Sequence, residues 1–180
     1  NIPTIIVSAG PSLDKNIGLI KSVRNQILVI TVATALKPLL RDGIKPDFVI
    51  TIDPNEDTIR SFDIKGIPED LWLIYDPCIP PEICSLFNKR KIMMDSKIEL
   101  AKWITDHSEK KGVLGSISSV AHAAFYLAQH MGCAPIILVG QDLSFEGHRM
   151  HCTDSFYNQA NQDSITVDRT LDVLQYNKYR

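Results

Sequence analysis

The sequence predicts an α/β fold built on a mainly parallel sheet, and three observations carry that prediction. Short β-rich runs alternate with stretches of helical periodicity, the pattern of successive βα units. The apolar runs end in small or acidic residues followed by turn signals, as in Ile5-Ile6-Val7-Ser8-Ala9-Gly10 and Val49-Ile50-Thr51-Ile52-Asp53-Pro54. The chain of 180 residues, 44% hydrophobic and 22% charged, suffices to bury one core. We expect a single domain over residues 1–180, cut from a longer protein, because a helical pattern has barely begun when the chain stops at Tyr179-Arg180.

The elements follow in order. A strand over residues 4–8 ends at the Gly10-Pro11 corner, and a helix over Leu13–Val23 places Leu13, Ile17, Ile20 and Val23 on one face. A strand over 26–32 leads to a short helix over 35–40, and a third strand spans 48–52. Strands four and five cover 71–75 and 91–94, and Leu100, Ala101 and Ile104 give residues 98–104 a helical period. The strongest helix is 117–131, with apolar residues at Ile117, Val120, Ala121, Ala124, Leu127, Ala128 and Met131 and a stop at Gly132. Ile136–Val139 then reads as a buried strand ending in Gly140-Gln141-Asp142.

Composition excludes several classes. A net charge of -2 leaves no electrostatic footprint for nucleic acid, and Lys89-Arg90-Lys91 and Lys110-Lys111 read as solvated turns. Cys78, Cys84, Cys133 and Cys152 form no C-x-x-C pair, which fits a reduced, cytoplasmic setting. No apolar run reaches the roughly 18 residues that span a bilayer, and no signal-peptide pattern opens the chain, so a membrane partner is not expected.

The carboxyl ends of the strands hold the chemistry. Asp53-Pro54, Asp76-Pro77, Asp95 and Gln141-Asp142 should share one edge, where ligands bind in an open parallel sheet. Asp76 and Asp95 are as well explained as caps or Asp-Pro turns, whereas Asp53 and Asp142 are the stronger functional candidates. Gly115-Ser116-Ile117-Ser118-Ser119 opens the strongest helix with small residues, so its free amides can meet a phosphate without a lysine, and Ser116 or Ser118 can donate or cap. Gly10-Pro11-Ser12 makes a second phosphate-site candidate. It matches neither G-x-G-x-x-G nor the Walker loop, which removes the usual support for a dinucleotide or ATP.

Gly10-Pro11-Ser12-Leu13, the Gly43-Ile44-Lys45-Pro46-Asp47-Phe48 lead into Val49–Pro54, and the block from Gly115-Ser116 to Gly140-Gln141-Asp142-Leu143-Ser144-Phe145 together resemble the motility accessory factor proteins. Those are cytoplasmic glycosyltransferase-like enzymes of flagellin glycosylation, similar in their Rossmann-like core to bacterial sialyltransferases. The resemblance covers most of residues 4–157 and implies a Rossmann-like three-layer sandwich. It also implies a CMP-activated nonulosonic acid as donor and a protein hydroxyl, such as flagellin Ser or Thr, as acceptor. The same broad family resembles archaeal 6-hydroxymethyl-dihydropterin diphosphokinases, which would require ATP and Mg²⁺. A third alternative is a non-catalytic nucleotide-binding module.

Transfer to a hydroxyl needs a base, and His148-Arg149-Met150-His151 supplies imidazoles. His151 matches the histidine that follows the G-Q-D-L segment in the family and ranks above His148, while His122 reads as structural. Gly10, Pro11, Ser12, Gly115, Ser116 and Ser118 are expected to take the donor's phosphate and ribose. Asp53, Gln141 and Asp142 are expected to orient donor or acceptor, with Asp142 and Asp154 as the next acid/base carboxylates. No H-E-x-x-H or cysteine pairing points to zinc, and the glycosyl transfer requires no metal. Under the diphosphokinase alternative, Asp53 or Asp142 would share Mg²⁺ with substrate phosphates.

Overall fold

The computed structural model describes residues 1–96, 99, 103, 107, 118–147 and 149–157. Among them six strands form one sheet: β1 (Thr4–Val7), β2 (Leu28–Val32), β3 (Phe48–Thr51), β4 (Trp72–Tyr75), β5 (Lys91–Met93) and β6 (Ile136–Val139). Their order is β5-β4-β3-β2-β1-β6, and every pairing is parallel. The helices are α1 (Leu13–Val23), α2 (Ala33–Arg41), α3 (Pro81–Ser85) and α4 (Val120–His130), with 3-10 turns at Arg24–Gln26 and Glu56–Phe62. No described helix is long and apolar enough to cross a membrane.

A parallel sheet is covered on both faces, so its strands are apolar at successive positions rather than at alternate ones; β6, expected to be buried, departs from this because it is an edge strand, and it leaves Ile137 and Leu138 exposed. Ile5, Val7 and Val29 point to one face, where they pack with Leu13 and Ile20 of α1 and Ala35 and Leu39 of α2. Ile6, Ile30 and Ile50 point to the other, against Ala123, Ala124 and Ala128 of α4. Those three alanines let α4 lie close to the sheet, and the result is the three-layer α/β sandwich the sequence predicts.

Local chemistry sets the joints. Asp47 fastens the entry to β2 by accepting the Val29 N–H at 2.7 Å and the Arg24 guanidinium at 2.8 Å. Gly132, at φ 71, allows the left-handed turn that stops α4. The strongest helix starts later than expected, at Val120, because the Ser119 hydroxyl accepts the His122 N–H at 3.3 Å and makes Ser119 the N-cap. The predicted 98–104 helix falls mostly outside the described residues. The Glu56–Phe62 turn and α3 were not legible, since neither segment carries a 3.6-residue apolar period.

Strands β1 to β5 are laid down in one direction, and β6 then returns to the far side of β1. The winding therefore reverses between β1 and β6, and the crevice outside their carboxyl ends is where such sheets bind ligands.

Candidate functional site

The tails of β1 and β6 run side by side beyond the sheet. Ser8 N–H donates to the Val139 carbonyl at 2.8 Å, and Gly10 N–H donates to the Gly140 carbonyl at 2.7 Å. This approach explains two glycines. A Cβ on Gly140, whose φ is 72, would collide with the Ser8 carbonyl. A Cβ on Gly10 would collide with the Asp142 carboxylate and meet the Gly140 carbonyl at 2.5 Å.

The side chains of the two tails are joined as well. The Ser8 hydroxyl donates to Gln141 Oε1 at 2.7 Å. Asp142 Oδ2 accepts the Ser12 N–H at 2.7 Å, and Asp142 Oδ1 accepts the Ser12 hydroxyl. Ser12 makes no side-chain cap bond within its own helix, so the carboxylate from β6 caps α1 from outside.

Between these tails and α4 lies a cavity of about 370 Å³, lined among others by Ser8, Gly10, Ser119, Val120, Ala121, Gln141, Asp142 and His151. Val120 and Ala121 occupy the first turn of α4, where backbone amides have no partner inside the helix and the helix dipole is positive. An anion in the cavity therefore meets N–H donors without any basic side chain. At the rim, Leu143 is 89% exposed with φ 52, and Phe145 is 43% exposed.

His151 lines the same cavity. Burial holds its imidazole below the ordinary histidine range, because desolvation disfavours the charged ring. Its Nδ1 is buried with no hydrogen-bond partner among the described residues. The ring stacks on Tyr157, with centroids 5.5 Å apart and planes at 25°. The Tyr157 hydroxyl is pushed above its ordinary range by burial first and by the Asp53 carboxylate second.

The structure brings together Gly10, Gln141, Asp142 and His151 of the expected residues. Pro11 and Ser12 line a second cavity of about 300 Å³, which shares Asp142 with the first. Asp53 stands exposed at the end of β3, outside the larger cavity, where its carboxylate accepts the Asn55 N–H at 3.0 Å. Asp76 accepts the Cys78 N–H at 2.8 Å, the turn role allowed for it. Ser118 is exposed and bonded to His122 Nδ1 at 2.7 Å; the capping role expected for Ser116 or Ser118 belongs to Ser119. Gly115, Ser116 and His148 lie outside the described residues. Asp154 pairs with Arg41 rather than lining the cavity.

Sequence reasoning missed Ser119 and Tyr157. Ser119 had a usable signal, as the last hydroxyl before an uninterrupted helical run. Tyr157 had none, since no motif or periodicity ties it to His151, on which it stacks. Among the described residues no group of three or more His, Cys, Asp or Glu side chains is placed to hold a metal ion.

Known proteins resemble this chain in sequence or in fold. The family model described as "MptE-like: 6-hydroxymethylpterin diphosphokinase MptE-like" matches residues 1–148. The structure of the MAf glycosyltransferase from Magnetospirillum magneticum AMB-1 superposes with a TM-score of 0.72 at 23% identity, over 86% of this chain and 25% of that one. An uncharacterized protein of Treponema pallidum (strain Nichols) is 44% identical over 50 residues, 28% of this chain and 24% of that protein. The chain thus spans about a quarter of the solved glycosyltransferase, and the aligned segment about a quarter of the Treponema protein.

Proposed function

This chain belongs to the MptE-like family, and from that premise we propose that its β1/β6 crevice binds a CMP-activated nonulosonic, sialic-acid-like sugar and transfers the sugar to a protein hydroxyl such as a flagellin Ser or Thr. The observation that carries the reading is the pairing, in one cavity, of the α4 N-terminus with a half-buried histidine whose imidazole burial holds below the ordinary range. The likeness of fold to the MAf glycosyltransferase supports it.

The donor's phosphate lies at the Val120 and Ala121 amides, beside Gly10 and Ser119. Gln141 orients the donor, and Asp142, fixed on Ser12, holds the two tails in register. The acceptor oxygen attacks the anomeric carbon as the bond from that carbon to the phosphate oxygen breaks, and the bonding pair leaves with CMP. The hydroxyl proton passes to His151. Helix dipoles stabilise the charge that grows on the phosphate, a role that needs no metal.

The family's own description favours a second reading, transfer of diphosphate from ATP and Mg²⁺ to a pterin alcohol. Against it, Asp142 lines the cavity but has both carboxylate oxygens engaged by Ser12. Calorimetric titration with CMP, ATP and a pterin alcohol, each with and without Mg²⁺, separates the two. CMP binding without metal supports the glycosyltransferase; binding confined to ATP with Mg²⁺ supports the diphosphokinase.

A further inference from the structure

His151 lies on a segment held by few backbone bonds of its own. Glu146 and Arg149 form an isolated antiparallel bridge, and no named helix or strand follows it among the described residues. Apart from the stack on Tyr157, the position of the imidazole is therefore set by what grips the residues on either side of it from outside. That grip comes largely from one turn of α1.

Ser12, Asp14 and Lys15 each hold a different point of the segment. Ser12 binds Asp142, and Lys15 pairs with Glu146. Asp14 binds on both sides of the histidine: it accepts the Thr153 hydroxyl at 2.7 Å, the Thr153 N–H at 3.1 Å and the Arg149 guanidinium at 3.1 Å. Arg149 also reaches Glu146 at 2.8 Å, which closes the network. Between these points Cys152 N–H donates to the Ala9 carbonyl at 2.7 Å, and the Cys152 side chain is fully buried.

We propose that Asp14 is a positioning residue: through Arg149 and Thr153 it fixes the loop that carries His151, so that the first turn of α1 sets the distance between the anion-binding wall and the base. This extends the proposed function and rests on it for the word base, but the clamp itself is a geometric claim. An acid in a first helical turn ordinarily does no more than complement the helix dipole. That simpler role touches stability and leaves His151 where it is. An isolated half-exposed ion pair would also contribute little; here, three donors from two residues converge on one carboxylate.

The test uses Asp14→Ala, Asp14→Asn and Asp14→Glu in the intact protein, with Thr153→Val as a milder second cut. The first readout is the His151 titration followed by NMR, which needs no substrate. Releasing the loop hydrates the ring, so in Asp14→Ala the midpoint rises toward the ordinary histidine value of about 6.5. Thr153→Val shifts it less, and Asp14→Glu restores it. The second readout is transfer from a CMP-linked sugar: kcat falls about 10- to 100-fold while KM for the donor stays within about twofold, as expected for a misplaced base. A folded Asp14→Ala protein with an unchanged His151 titration overturns the clamp. If His151→Ala leaves turnover unaffected, the base assignment fails instead, and the titration still decides the clamp.

Discussion

Asp142→Ala tests the join between the two tails that frame the cavity. It removes the acceptor for the Ser12 N–H, bonded at 2.7 Å, and for the Ser12 hydroxyl. A hydrogen bond to a charged group contributes about 1.5–3 kcal/mol, and loss of an N-cap acceptor costs about 0.5–2 kcal/mol. Asp142 is only half-buried, so water replaces part of what is lost, and the lower ends apply. The two losses together place Asp142→Ala at about 2–3 kcal/mol. Asp142→Asn keeps a carbonyl acceptor but loses the charge, which places it near 1 kcal/mol, roughly one neutral hydrogen bond. Urea unfolding of the two variants, read by circular dichroism, gives both values. A loss under about 0.5 kcal/mol for the alanine, the range of ordinary surface substitutions, would refute the view that this carboxylate caps α1 from β6.

Further expectations concern the same crevice. Gly140→Ala should unfold the tails or fail to accumulate, because its Cβ would collide with the Ser8 carbonyl at a positive φ; a soluble variant with wild-type urea midpoint would contradict the packing. Ser119→Ala should cost about 0.5–2 kcal/mol and weaken CMP binding, whereas Ser118→Ala, at an exposed site, should do neither in calorimetry. His151 is held below its ordinary value of 6.5 in the fold, so the unfolded chain binds the proton more readily. Its contribution to stability is therefore complete above pH 6.5 and is lost as pH falls through the lower folded value, and the rate of transfer should decline over the same acidic range. The Cys152 thiol, pushed up to about 12 by burial first, should resist alkylation at neutral pH until the protein is unfolded, as mass spectrometry would show.

The sheet was legible because each strand is a short apolar run with a turn signal behind it, and α1 and β6 keep their predicted bounds. The gathering of Gly10, Gln141, Asp142 and His151 was partly legible for the same reason: strand ends share an edge. What the sequence hid was pairing across distance. Ser12 and Asp142 are 130 positions apart, and nothing local shows that the first donor group is already consumed by the second. That contact alters the first turn from a free phosphate site to a capped helix start, and it leaves the α4 N-terminus as the cavity's anion site. Asp53 illustrates the opposite case, since a strand-end acid beside proline looks functional in sequence but faces a turn three strands away from β6. Asp14 carries no sequence signal beyond that of an acid in a first helical turn.

The central claim is that the α4 N-terminus and the β6 tail bind a nucleotide phosphate without metal, and amide chemical-shift mapping with CMP in a chelator-treated buffer tests it most directly. The account predicts shifts at Val120, Ala121, Gly140 and Gln141 that saturate with CMP and are unchanged by added Mg²⁺. Shifts confined to the amino edge of the sheet, or seen only when ATP and Mg²⁺ are supplied together, would contradict it.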